Sequence, residues 1–316
     1  MTDVLTKATI DPANAQTAPS AASQTTAITA PRTVSADQSP LGIIAGEGIF
    51  PILVARGARS QGRKVVACAF GGSAWPELKD EVDVFKWVGV VRLGQWIRIL
   101  KSQGCQQAIM VGRVAKEKMF NRWRWFQYIP DLRTVNVWFK LHNDKRDQAI
   151  LRAIDRELEA EGIHLIDSTT YCPEHMATEG LMTARRPGEK QWEDIQFGWE
   201  LCQTISRMDI GQCIAVCDKS VIAVEAVEGT NAMIERAGQL CKVGGWTLLK
   251  VSNVRHDMRL DVPTVGTTTI EKLHAARATA LILEPGKTIM LEKAKVLELA
   301  DRYRIAIVGY LPGMKV

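Results

Sequence analysis

The sequence lacks the short motifs that mark several common chemistries. It has no CxxC pair, and its five histidines form neither HxxxH nor HExxH, so a zinc site of the usual kinds is not expected. GxSxG, Walker A and kinase-type signatures are also missing. Cys213 and Cys217 fall on an expected strand, where four residues separate them by ~13 Å, too far to clasp one metal. No apolar run approaches the ~18–20 residues that a bilayer-spanning helix needs. The first residues have neither the basic nor the apolar region of a secretory signal. Seven cysteines, an odd number without a regular framework, then point to reduced thiols and a cytoplasmic setting.

What is present describes a globular α/β chain. With 316 residues, 46% hydrophobic and 24% charged, two domains are the natural expectation. The net charge of +5 is local. Nine Lys and Arg between Arg113 and Arg146, against Glu117, Asp131 and Asp144, give that stretch +6 and leave the remainder near neutral. Residues 1–38, rich in Ala, Thr, Ser, Gln and Pro, have too little apolar surface to offset ordering and are expected to be a disordered extension.

From Leu41 onward, strands and helices alternate. Leu41–Ala45 reads as a buried strand, Gly46-Glu47-Gly48 as a tight turn, Ile49–Gln61 as a helix and Lys64–Phe70 as the next strand. Helices follow near Leu93–Gln103 and Asp147–Glu161, with strands at Gln107–Val111 and His164–Asp167. The polar run Thr178–Glu189 reads as a connection. A helix near Trp192–Met208 then opens a second α/β half, with strands at Gln212–Val216, Ser220–Glu225, Thr247–Val251, Ala280–Leu283 and Ala306–Gly309. The expected fold is two α/β domains with mainly parallel sheets: 39–180, a linker at 181–190, and 191–316.

Four places could carry chemistry. The turn Gly46-Glu47-Gly48 joins a strand to a helix, where free amides and the helix dipole can face phosphate. A tight turn without a ligand fits equally well, and Pro51 at the third glycine position disfavours NAD. Glu225-Ala-Val-Glu228-Gly229-Thr230-Asn231 repeats the strand-to-helix junction, with Thr230 and Asn231 able to cap the helix or bind an oxyanion. Asp257, Arg259 and Asp261 alternate along a segment expected to be extended, which places them on one face with the aspartates ~13 Å apart. Arg259 could then hold phosphate while Asp261 or Asp257 binds Mg2+ or orients water; a solvated edge strand is the competing reading. Phe120–Tyr128 with Trp138 and Phe139 interleaves aromatics with Arg, which suits nucleic acid, an anionic membrane, or simple packing.

Taken in order, five segments resemble the UDP-2,3-diacylglucosamine pyrophosphatase family of the LpxI type. They are Leu41-Gly-Ile-Ile-Ala-Gly-Glu-Gly48 with Pro51, Asp147-Gln-Ala-Ile-Leu-Arg152, Asp209-Ile-Gly-Gln212 within the second half, Ala-Val-Glu225-Ala-Val-Glu-Gly-Thr230, and Arg259-Leu-Asp-Val-Pro-Thr-Val-Gly266. The resemblance implies divalent-metal-dependent attack of water on the pyrophosphate of a lipid-linked nucleotide sugar, giving UMP and 2,3-diacylglucosamine 1-phosphate. It implies Asp261 as the residue needed for catalysis and the metal ligand, with Asp257 and Arg259 beside it. Substrate contacts would fall to Gly46, Glu47, Gly48, Asp147, Gln212, Glu228, Gly229, Thr230, Lys250 and Thr264. A homodimer is also implied; the clustered Trp residues and the local +6 charge of the aromatic patch add peripheral contact with an anionic membrane on its cytoplasmic face, with no nucleic-acid partner. Gln148 and Asn231 depart from the family, which often has Asp at both. A different nucleotide-sugar or dinucleotide enzyme, or a basic RNA-binding module, stands as the alternative.

Overall fold

A computed structural model describes residues 39–114, 129–141, 147–252, 258–259 and 262–314, with Asp147 and Gln148 described for their backbone only. The expected extension at 1–38 lies outside the described residues. Five parallel strands form the first sheet: β1 (Leu41–Ala45), β2 (Val65–Phe70), β3 (Val84–Val88), β4 (Gln107–Val111) and β5 (His164–Leu165), in the order β3-β2-β1-β4-β5. Its helices are α1 (Phe50–Ser60), α2 (Leu93–Ser102), α3 (Leu132–Lys140) and α4 (Asp147–Glu159).

The inner strands β1 and β2 are buried on both faces, as parallel strands between helices must be. Leu41, Ile43, Val65 and Ala67 pack in one cluster with Ile52, Val54 and Ala58 of α1. Their neighbours Ile44, Val66 and Cys68 face the opposite cluster with Trp96, Ile97 and Leu100 of α2 and Leu158 of α4. Period-two alternation thus sorts apolar residues between two layers rather than between core and water.

The second sheet holds β6 (Gly180–Leu181), β7 (Cys213–Cys217), β8 (Ser220–Val224), β9 (Thr247–Lys250), β11 (Ala280–Leu283) and β13 (Ala306–Gly309), in the order β6-β13-β11-β9-β7-β8. Its centre, β13-β11-β9, is parallel, while β6, β7 and β8 each pair antiparallel. Asp218 and Lys219 both take positive φ between β7 and β8, the two-residue turn that suits the twist of a hairpin. On one face α5 (Glu189–Arg207) packs Ile195, Trp199 and Cys202 onto Ile214, Leu249 and Ile282. Helices α6 (Gly229–Leu240), α7 (Thr267–Ala275) and α8 (Lys293–Arg302) cover the other.

Two expectations about the connection need correction. Gly180–Leu181 is not linker but an edge strand on β13, and Thr183 Oγ1 accepts the Ile307 amide at 2.8 Å. A polar composition suggested solvent, yet these groups complete the sheet edge. Helix α5 also begins three residues earlier than its apolar pattern suggests, because Gln191 Oε1 accepts the Gly188 amide at 2.7 Å. The chain passes from one sheet to the other between β5 and β6.

A two-stranded parallel ribbon, β10 (Thr264–Val265) with β12 (Ile289–Met290), joins the two cores. Ile289 packs into the cluster of the first sheet, and its neighbour Met290 into that of the second. Val262 and Leu291 lie against the first cluster, whereas Val265 belongs to the second. Adjacent residues of a strand point opposite ways, so this short ribbon is shared by both halves.

Candidate active site

In α/β sheets, ligands gather at the carboxyl ends of the parallel strands. Lys250 ends β9 and is 3% exposed. Its Nζ donates to Thr230 Oγ1 at 3.1 Å, and that hydroxyl donates to Glu225 Oε1 at 2.6 Å. Glu225 Oε2 accepts the Gln212 amide at 3.2 Å. One threonine hydroxyl therefore bridges a buried ammonium and a buried carboxylate, the arrangement that makes such burial tolerable. Gly211 allows it: a Cβ there would stand 2.0 Å from the Glu225 carbonyl oxygen. Gly229 takes φ +80° at the start of α6 and brings Thr230 into place.

Expected contacts divide around this centre. Gln212, Thr230 and Lys250 come together, and the Gln212 Oε1 is buried with no hydrogen-bond partner among the described residues. Glu228 instead pairs with Arg236 at 2.8 Å. Thr264 is exposed on β10. Two groups without an assigned role at the level of sequence join the same strand ends. Glu284 Oε2 accepts the Ser252 amide at 2.9 Å, while its Oε1 lies 2.7 Å from Lys287. Glu225 sat in a quoted segment without a role; its place beside Thr230 was the available signal.

Asp257 and Asp261 lie outside the described residues. Met258 and Arg259 are described and occupy a turn rather than a strand. The Met258 carbonyl accepts from Ser168 Oγ at 3.0 Å and from its amide at 3.5 Å. Arg259 Nη2 stands 3.0 Å from Asp155 Oδ2, and Nη1 reaches the Leu165 carbonyl at 3.4 Å. Arg259, expected to face phosphate, is thus engaged by α4 and β5 of the other half. Nothing in the sequence marked Asp155, which reads as one more polar residue of an amphipathic helix.

At Gly46 the chain makes the tight turn that was one of the two readings. Gly46 N–H donates to the Val111 carbonyl at 2.8 Å, and Glu47 exchanges backbone hydrogen bonds with Arg113 at 2.8 and 2.9 Å. Those amides are engaged within the protein and do not form a phosphate cradle. A Cβ on Gly46 would meet the Gly112 backbone at 2.7 Å, so glycine is needed here for close chain approach. Gly48, at φ +110°, leads into α1 through open space. Asp147 begins α4, with its side chain outside the description.

Phe120–Tyr128 of the aromatic patch lies outside the described residues. In α3, Leu132 is 90% and Phe139 71% exposed. A cleft of about 270 Å³ is lined by Arg92, Gln95, Arg98, Ile129, Pro130 and Asp131. Among the described residues, no three His, Cys, Asp or Glu side chains are grouped to hold a metal, and no helix is long and apolar enough to cross a membrane.

Comparison with known proteins agrees with this two-part architecture. The family model for the LpxI N-terminal domain matches residues 40–175, and that for the LpxI C-terminal domain matches residues 178–308. The chain is similar to the UDP-2,3-diacylglucosamine pyrophosphatase LpxI of Caulobacter vibrioides, at 28% identity over 281 residues, covering 86% of this chain and 98% of that protein. With both domains present in that order over most of its length, the chain belongs to the LpxI family.

Proposed function

We propose that the protein hydrolyses the pyrophosphate bond of UDP-2,3-diacylglucosamine, releasing UMP and 2,3-diacylglucosamine 1-phosphate in lipid A biosynthesis. The family and the relative's activity support the reaction class. The observation that carries it onto this chain is the engagement of Met258 and Arg259 by Ser168 and Asp155. It fastens Met258 and Arg259, which stand between Asp257 and Asp261 in the sequence, to the first half.

In this reading water attacks one phosphorus, its P–O bond to the bridging oxygen breaks, and the leaving phosphate takes up the charge. Charge neutralisation is what such a reaction needs most. Lys250 supplies a buried cation at the strand ends, with three donors of which Thr230 takes one. Gln212 offers its buried acceptor oxygen to a donor on the nucleotide. The described residues alone do not form a metal centre. A divalent cation such as Mg2+ would fall to Asp261, on the strength of the resemblance, and would polarise the phosphoryl oxygens. A homodimer, by resemblance, and peripheral membrane contact, from the clustered Trp residues and local +6 charge between Arg113 and Arg146, complete the reading. The engaged amides of Gly46 and Glu47 give no support to a dinucleotide enzyme.

The test is UMP release from UDP-2,3-diacylglucosamine by the purified protein. Asp261→Ala should lower turnover ~100-fold or more while the protein stays folded. Near-normal hydrolysis by that variant would overturn the assignment.

A further inference from the structure

Two thiols outside the candidate site stand against each other. Cys241 Sγ lies 3.5 Å from Cys217 Sγ, although the two residues are 24 positions apart. Cys217 ends β7, just before the hairpin turn of Asp218 and Lys219. Cys241 caps α6 with φ −97° and ψ 76°, already outside helical conformation. Each sulfur thus hangs from the end of an element rather than its middle. The ~1.5 Å of approach to a bonded pair then needs only small side-chain and terminal adjustments. Cys217 is half-buried, whereas Cys241 and the other five cysteines are buried.

This pair is remote from the polar groups at the end of β9. Cys213, at the opposite end of β7, is the residue that pairs with Lys250 and lies 3.8 Å from Thr230 Oγ1. Four strand residues separate Cys213 from Cys217 by ~13 Å. Helix α6 likewise runs ~17 Å from Gly229 to Leu240, with Thr230 bonded to Glu225 at its first turn. We infer that Cys217 and Cys241 form a reversible disulfide with a small-molecule disulfide such as oxidised glutathione as oxidant, fastening the far end of α6 to β7. Cys217, the more exposed thiol, loses its proton and attacks one sulfur of the oxidant, and the first glutathione leaves as a thiolate that takes up a proton. Cys241 then loses its proton, attacks Cys217 Sγ and displaces the second glutathione in the same way. Two protein thiols become one S–S bond while one oxidant is reduced to two thiols. Burial, and then the hydrogen bond with Cys241, push the Cys217 thiol up to about 12, so thiolate is scarce at neutral pH and the first step is slow. The bridge is independent of the substrate reading.

The experiment incubates the folded full chain with oxidised glutathione for hours at ~pH 8.5, where more thiolate is present, and reads mass, tryptic peptides and melting temperature. The wild type should become two hydrogens lighter, with a peptide pair cross-linked through Cys217 and Cys241. Closing a loop of this length should raise the melting temperature of the second half by roughly 5–10 °C, and dithiothreitol should reverse both changes. Cys241→Ser should stop after the first step, carrying glutathione on Cys217 with no rise in melting. Cys217→Ser should gain neither a bridge nor an adduct on Cys241. The peptide map of the wild type decides the inference whether or not either variant folds. A folded wild type whose Cys217 and Cys241 stay free, keep glutathione, or join any other cysteine would overturn it.

Discussion

Replacing Thr230 by valine tests the buried network directly. Valine keeps the branched shape at the start of α6 and removes only the hydroxyl that donates to Glu225 and accepts from Lys250. Both partners are nearly inaccessible, at 6% and 3% exposure, so water does not readily replace it. Each hydrogen bond to a charged group contributes ~1.5–3 kcal/mol net. The two losses overlap, since Lys250 and Glu225 then face each other, and a combined cost of about 2–4 kcal/mol is reasonable. That lowers the unfolding transition of the second half by roughly 5–15 °C. Thr230→Ser keeps the hydroxyl and loses one methyl, a cost of about 1 kcal/mol. Differential scanning calorimetry of the three proteins decides the matter. A valine variant melting with the serine variant or above it refutes the network as a source of stability.

Other outcomes follow from the same structure. Glu161 is held down to about 2 from its ordinary 4.5 by hydrogen bonds from Lys101 and Arg133. A depressed carboxylate contributes stability above its unfolded value and loses it as pH falls from about 4.5 toward 2. Melting curves of the wild type should therefore fall more steeply over that window than those of Glu161→Gln; parallel curves would contradict the pairing. Burial pushes the thiols of Cys68, Cys172 and Cys213 up to about 12, so they should react with Ellman's reagent only on unfolding. Rapid titration of these three in the native protein would show that the core is open. Chelation with EDTA should stop turnover and Mg2+ restore it, with the melting temperature unchanged. A chelated protein working at full rate removes the cation from the proposal.

The β1-α1-β2 unit and α4 were legible because their cues are local. Leu41–Ala45 is uniformly apolar, α1 stops before Gly62 at φ +77°, and α4 carries apolar residues at helical spacing before Gly162. The site was less legible. Gly46 and Glu47 look the same in sequence whether their amides face a phosphate or the chain after β4. Only the approach of Gly112 decides between these, and no nearby residue encodes it. Glu225, Thr230 and Lys250 were visible as separate polar residues at strand ends, but their convergence required β7, β8 and β9 to be paired.

By itself the sequence determined the alternation of strands and helices, the division into two α/β halves, and the segments that place the chain beside its family. Those features depend on periodicity and on contiguous residue patterns. Tertiary structure alone decided that Gly180–Leu181 closes a sheet edge, that Ile289 and Met290 serve different cores, and that Arg259 turns to Asp155. Each of these rests on a partner more than 90 residues away or on docking of the two halves. A local pattern shows that an arginine needs an anion, but only the packed chain shows which one it finds.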